Sequence, residues 1–396
     1  MVWEDKMENE MKSCGFFRKS LPWVVVFILM LSAFGGGMCC SHVTSMARED
    51  RLEDVLDNIR ENHVGSYDED ELYYGAIKGA VESLNDPFTS YLTPSEATAY
   101  FKRNKGEMVG IGIGYQIDQQ KQFRIISVVV GGPADKAGLR SGDIILKVDG
   151  AELVGLDMQG FSDKVRGKEN TQVKLTVQKV DSEQPAEVII VRSKVIFPTV
   201  TCSIKNTSIL YISVSHFNDA VMNGVYNCAR QYVNENTVGI VLDLRNNPGG
   251  SLEASRKLAS EWMTKSDMLV YTIKDRKGKD ELGMSSEEHL FAGMKTVVLV
   301  NKGSASASEV VAGALQDYKL ATIIGEKTYG KGVGQHLTVL SDGSLLILVS
   351  FKWYTPLGRN VHKIGLTPDI RISVDMDKVG WDTDPVLDKA LEFLSK

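Results

Sequence analysis

Two stretches limit what this chain can fold into. Each is an apolar run that ends in a turn and re-emerges as a helical pattern. Thr296 to Val300 is β-branched and apolar, the mark of a buried strand. Asn301-Lys302-Gly303-Ser304-Ala305-Ser306-Ala307-Ser308-Glu309 follows, and Val310, Ala314 and Leu315 then recur at helical spacing. Gly303 and its small neighbours permit a sharp turn, so Ser306 is expected near the start of a helix. The first N–H groups of a helix have no partner within it and can face an anion. The second stretch runs Val238-Gly239-Ile240-Val241-Leu242-Asp243-Leu244-Arg245-Asn246-Asn247-Pro248-Gly249-Gly250. A helical pattern with Leu252, Leu258, Ala259 and Trp262 comes after it.

A serine hydroxyl becomes a nucleophile only when a base takes its proton. Gly330-Lys331-Gly332-Val333-Gly334-Gln335 supplies a lysine for that work. A free lysine amine has a pKa of about 10.4, so it must be lowered by burial and by the lack of an opposite charge. Gln335 can hold the amine without adding charge. The plain alternative is that Ser304, Ser306 and Ser308 cap a helix and Lys331 is a solvated loop residue. The glycine turn reads either as an ordinary strand-to-helix loop or as half of an oxyanion hole. In the second reading Gly250 and Ala307 each offer one N–H.

Together these residues resemble the C-terminal processing (tail-specific) proteases, a family of Ser-Lys peptidases. The Leu-Arg-Asn-Asn-Pro-Gly-Gly turn, the Ser-Ala-Ser-Ala-Ser-Glu corner, the Tyr-Gly-Lys-Gly loop and Gln335 carry the resemblance. Matched by motif, Ser306 is the nucleophile, Lys331 the base, Gln335 the residue orienting it, and Gly250 and Ala307 the oxyanion hole. The resemblance extends from about Glu53 to Leu394.

Residues 106–194 read as a separate unit. Gly131-Gly132-Pro133-Ala134 and Ala137-Gly138-Leu139-Arg140-Ser141-Gly142-Asp143 resemble a PDZ domain, which takes an extended C-terminal tail as an added strand. Val109, Gly110, Ile111 and Gly112 are the expected carboxylate loop, with Arg140 a cation near it. Gly110, Gly112 and Gly114 make no dinucleotide fingerprint, because no βαβ context or acidic ribose partner follows.

Lys6, Lys12, Arg18 and Lys19 precede an uncharged span from Ser20 to Ala47. An uncleaved signal anchor is favoured, since no small-x-small site follows the apolar core; a cleaved signal peptide is the alternative. Either one puts the rest of the chain outside the cytoplasm, most simply on a bacterial cell membrane with a single pass. Residues 48–105 read helical, with stripes at Leu52, Val55, Leu56, Ile59 and at Leu72, Ala76, Ile77, Ala80, Val81, Leu84. In the family such helices often mediate dimers. Cys202 and Cys228 leave a bridge and two free thiols open, and no metal-ligand spacing accompanies them.

The formal net charge of −6 and the absence of a basic stripe argue against a nucleic-acid partner. Among the six histidines, His336 beside Gln335 is the rival base and His216 follows Ser215, but neither sits in a motif that orients it.

The expectation is an α+β multidomain chain. It has a cytoplasmic N-terminus (1–20), a membrane segment (21–40), a helical arm (47–105) and a PDZ domain built as a β-sandwich or barrel with two helices (106–194). An α/β protease core of the ClpP/crotonase type (195–380) and a C-terminal helix (381–396) complete it. The resemblance implies an exported serine endopeptidase with no cofactor and no metal. Its expected partners are substrates with accessible C-terminal tails, the membrane, and a second copy through the N- and C-terminal helices. A catalytically inactive tail-binding scaffold and an acyl-CoA enzyme are the alternatives.

Overall fold

The computed structural model describes residues 51–373 and 383–396, apart from Lys105, Gln119 and Glu183. The expected membrane segment at 21–40 lies outside the described residues. Among those described, no helix is long and apolar enough to cross a membrane. The chain divides after Gly79 into two compact units.

In the first unit, α1 covers residues 51–62 and α2 begins at Glu69, running Glu69–Glu82. Arg60 of α1 pairs with Glu53, Asp57 and Glu69 and donates to Tyr73 Oη. No residue of α2 is fully buried among the described residues.

The second unit opens with β1 (Ser90–Leu92) and α3 (Pro94–Asn104), and β2 (Glu107–Gly110) leads into the PDZ-like fold. That fold holds β3 (Ile113–Ile117), β4 (Phe123–Val128), α4 (Pro133–Lys136), β5 (Ile144–Val148), β6 (Ala151–Glu152), α5 (Met158–Val165), β7 (Gln172–Gln178) and β8 (Ala186–Val191). Its sheet runs β3-β4-β5-β7-β8, with β6 on β5. Val173, Leu175 and Val177 alternate inward from β7, as the period-2 pattern requires. Phe123 and Phe161 stack 4.2 Å apart beneath α5. β9 (Ser193–Ile196) returns beside β2 as a two-stranded ribbon.

The core then follows as β10 (Val200–Lys205), β11 (Ile209–Val214), α6 (Val221–Tyr232), β12 (Gly239–Asp243), α7 (Leu252–Ser260), β13 (Leu269–Asp275) and β14 (Asp280–Met284). It continues as β15 (Thr296–Val300), α8 (Ala307–Asp317), β16 (Thr322–Gly325), β17 (Val333–Val339), β18 (Leu345–Tyr354), β19 (Ile370–Arg371) and α9 (Pro385–Leu394). One sheet has the order β10-β11-β12-β15-β16-β19, parallel from β11 to β19. Its central strands are buried on both faces, which is why they read as unbroken apolar runs. Ile240, Leu242, Val298 and Val300 face a cluster that includes residues of α6, α7 and α8. Val241, Val297 and Leu299 face Val386, Ala390 and Leu394 of α9. A second sheet, β1-β18-β13-β14 with β17 on β18, stands beside it. The sequence reading left β13 and β14 without an assignment. Cys202 of β10 is bonded to Cys228 of α6, which settles the open alternative in favour of a bridge.

Candidate active site

The loops after β11, β12, β15 and β16 all leave the carboxyl ends of parallel strands, where α/β sheets open a crevice. They line one cavity of about 640 Å³ containing His216, Gly250, Ser306, Lys331 and Gln335, closed by Tyr100, Phe351 and Trp353.

Ser306 is the residue just before α8. Its φ of 54° and ψ of −115° lie in a region that non-glycine residues avoid. Such strain marks a sharp strand-to-helix turn that thrusts one side chain outward, a geometry that can present a nucleophile. Close packing enforces the turn. A Cβ on Gly249 would come within 2.7 Å of Ser306 Cβ, and one on Gly250 within 2.1 Å of the Phe217 carbonyl oxygen. Asn247, fully buried, sews the segments together. Its Nδ2 donates to the Val214 carbonyl at 2.8 Å and its Oδ1 accepts the Gly249 N–H at 2.9 Å. Its own carbonyl accepts Ala305 N–H and Ser308 Oγ–H.

The three serines of the corner separate cleanly. Ser304 is fully buried, and its hydroxyl donates to the Leu244 carbonyl at 2.7 Å. Ser308 is fully buried and its hydroxyl is committed to Asn247. Ser306 alone of the three lines the cavity. Its neighbour Ala307 and, across the turn, Gly250 carry backbone N–H groups that donate to no protein acceptor among the described residues. Two such donors beside a serine can stabilise an oxyanion.

Lys331 lies in the loop between β16 and β17. Its Nζ donates to Gln335 Oε1 at 2.7 Å and stands 5.0 Å from the centre of the Phe88 ring. Gln335 Nε2 in turn donates to the Phe88 carbonyl. Burial pushes the amine below its ordinary value, and Asp86 opposes that in part. Among the described residues no hydrogen bond joins Nζ to Ser306 Oγ; such contacts often tighten only when substrate arrives.

Glu309 is the member of the site that sequence reading missed. It is fully buried. Oε2 accepts the backbone N–H of Ser306 and of Lys331, and Oε1 accepts Gly330 N–H and Thr328 Oγ1–H. Burial holds its carboxyl pKa above the ordinary value, although those four donors oppose the shift. The signal was present as Ser-x-x-Glu, the capping-box spacing.

The histidine rivals fall elsewhere. His336 is exposed on β17. His216 does line the cavity, against Gly250, and burial lowers its imidazole pKa. Among the described residues no carboxylate is bonded to it, so nothing orients it as a general base.

The expected tail-binding residues are spread along the entry to the PDZ fold. Val109 and Gly110 pair with Lys194 and Ser193 in the β2/β9 ribbon. Ile111 is buried in the domain core, and its carbonyl accepts Ala134 N–H. Gly112 has φ of +81° and accepts Val129 N–H. Arg140 is exposed, with its backbone N–H on Asp143.

The chain is similar to known proteins along most of its length. A model described as Peptidase family S41 matches residues 208–372, a PDZ domain model matches 124–179, and a model of the activating protease CtpB N-terminal domain matches 40–95. A probable CtpA-like serine protease of Staphylococcus aureus is 36% identical over 332 residues, covering 83% of this chain and 66% of its own length. A namesake from Staphylococcus haemolyticus is 35% identical over 324 residues, covering 82% of this chain and 64% of its own. The chain thus spans just under two thirds of the length of these curated relatives. A solved photosystem II D1 C-terminal processing protease is 30% identical with a TM-score of 0.50, over 84% of this chain and 89% of that one. A putative S41 protease from Bacteroides fragilis shares the fold, with a TM-score of 0.62 at 19% identity over 87% of this chain and 96% of that one. Matched in both its PDZ and its protease-core regions and to relatives along most of its length, the chain belongs to peptidase family S41, the serine peptidases of C-terminal processing.

Proposed function

We propose that the protein is an exported serine endopeptidase that captures the C-terminal tail of a protein substrate through its PDZ domain and cleaves it by a Ser-Lys acyl-enzyme mechanism. The observation that carries this reading is the environment of Lys331. Its amine is half-buried and held by a neutral amide, in the same cavity as the one serine of the corner that is not fully buried. Such an amine can be neutral at working pH and accept a proton.

Ser306 Oγ attacks the scissile carbonyl carbon while Lys331 Nζ takes its proton. The oxyanion lies between the Gly250 and Ala307 N–H groups. The Lys331 ammonium then protonates the departing amine, leaving an ester on Ser306. A water, deprotonated by Lys331, attacks that ester and the proton returns to Ser306.

Export is supported by the bridge between Cys202 and Cys228, since such bonds persist in oxidising compartments. The basic residues before the apolar 21–40 stretch support anchoring with the catalytic part outside the cytoplasm. A homodimer remains a proposal for the N-terminal helices. α9 spends its apolar face on the core sheet of its own chain.

Incubating an unfolded model protein bearing an apolar C-terminal tail with wild type and with Ser306→Ala, then reading products by mass spectrometry, tests the reading. Cleavage by the wild type alone supports it. Tail binding by both proteins with cleavage by neither would favour an inactive scaffold.

A further inference from the structure

Phe88 touches both Lys331 and its partner Gln335, and neither contact was visible in the sequence. It sits in a turn closed by Asp86, whose Oδ1 accepts Phe88 N–H at 3.0 Å and whose Oδ2 accepts the Thr89 hydroxyl at 2.8 Å. The turn is pinned to β18. Thr89 Oγ1 accepts Val349 N–H at 3.1 Å, and β1 pairs with Leu345 to Ile347. Gln335 on β17 is registered opposite the same Val349. Strand pairing therefore fixes Phe88 relative to Gln335.

A glutamine amide has a donor end and an acceptor end, and only the acceptor end can receive an amine N–H. The Phe88 carbonyl engages the Nε2 end, which turns Oε1 toward Lys331. The ring covers the other side of the amine at 5.0 Å. Tyr329 and His362 meet the same ring edge-on, each at 6.3 Å, and hold it in place.

We propose that Phe88 is a positioning residue for the proton-accepting lysine: its carbonyl sets the orientation of the Gln335 amide, and its ring excludes water from the amine without offering a counter-charge. The proposal rests on Lys331 being the base. Two effects of the ring oppose each other. Its face attracts an ammonium, while its bulk removes the water that would solvate one. Burial as a whole lowers the amine's pKa, and the two Phe88 variants below separate the ring's two effects.

Other charges face this amine. Asp86 comes from the Phe88 turn and favours the ammonium. Glu309 of α8 is bonded to the Lys331 backbone N–H. His362 lies beyond the ring, where burial, Lys363 and Lys352 lower its imidazole pKa and Asp86 opposes them in part.

The test is the pH profile of kcat for the full-length protein on one tailed substrate, with Phe88→Ala and Phe88→Leu beside wild type. Phe88→Ala opens the amine to water. Its rising limb should move up by about one pH unit and its rate at neutral pH fall roughly tenfold, with KM within about twofold. Phe88→Leu keeps the apolar cover but loses the ring face, so its limb should move down by about half a unit. Should Phe88→Ala fail to fold, the downward shift in Phe88→Leu still decides the matter. Lower rates with an unmoved limb in either folded variant would overturn the proposal and leave Phe88 a packing residue. Wild-type activity that survives Lys331→Ala would instead sink the lysine mechanism itself, a separate outcome.

Discussion

Ser306 and Lys331 are tied to one atom: each donates its backbone N–H to Glu309 Oε2, both at 2.9 Å. The Ser306 turn and the Lys331 loop leave different strands, so their spacing would otherwise depend on two independent loops. A single buried carboxylate makes them one unit.

Glu309→Gln replaces one of those acceptor oxygens by an NH₂ that faces N–H donors. Leaving buried donors without partners costs about 1–3 kcal/mol each, so a stability loss of about 3 kcal/mol is expected. Turnover should fall by roughly 100-fold or more, because catalytic geometry is sensitive to shifts of about 1 Å. Denaturant unfolding and steady-state kinetics on one preparation check both. Near-normal turnover would mean that the two loops hold their spacing without the carboxylate.

The serines of the corner should divide by role. Ser306→Ala should abolish acyl-enzyme formation with little change in stability. Ser304→Ala and Ser308→Ala remove buried hydroxyls that donate to Leu244 and Asn247 carbonyls, and each should cost about 1–2 kcal/mol. Both should still form acyl-enzyme, detectable by intact mass. Acyl-enzyme on the Ser306→Ala protein would move the nucleophile.

Gln335→Ala should slow turnover by about tenfold, less than any loss of Lys331, because it removes orientation and not the base. The rate of the wild type should rise with pH through the lysine pKa, since only the deprotonated amine accepts a proton. Burial places that limb below the ordinary value of about 10.4. A limb at or above the ordinary value would show that the amine is solvated during turnover.

The same shift bears on stability. With its folded pKa below the unfolded one, Lys331 lets the unfolded chain hold a proton that the native state has lost. Its contribution to stability therefore improves as pH rises between the two values and is least favourable below the folded one. Lys331→Met should raise the thermal midpoint at neutral pH, and the gain should shrink at alkaline pH. A variant whose midpoint tracks wild type at every pH would show that burial does not burden this amine.

Reducing the bridge between Cys202 and Cys228, 26 residues apart, frees a loop that includes the His216 and Phe217 turn. A loss of about 3 kcal/mol is expected from the unfolded-state entropy alone. Comparing unfolding of oxidised protein with Cys202→Ser/Cys228→Ser measures it.

Much of the site was legible because it is local. β15 runs from Thr296 to Val300, the limits that the apolar run itself suggested, and the glycine turn and serine corner lie within a few residues of their strands. Gln335 falls four residues from Lys331 and could be read as its partner. What escaped reading depends on tertiary contact. Asp280-Glu281-Leu282-Gly283-Met284 forms a strand because β13 pairs with it, although its charges and glycine give no alternation. Glu309 looks like an ordinary capping residue until the Lys331 loop folds onto it. Phe88 precedes Gln335 by 247 residues, and only the pairing of β1 with β18 brings them together. The α2 stripe was legible as a helix, but no residue of it is buried, so its pattern alone does not tell what covers it.

The lysine mechanism is tested most directly by single-turnover acylation of Lys331→Arg on a tailed substrate, followed from neutral to alkaline pH beside wild type and His336→Ala. Arginine fits the charge but stays protonated at any accessible pH, with a pKa above about 12. A Ser-Lys mechanism predicts that Lys331→Arg forms no acyl-enzyme at any pH, while His336→Ala acylates at the wild-type rate. Acylation by Lys331→Arg, together with its loss in His336→Ala, would contradict it.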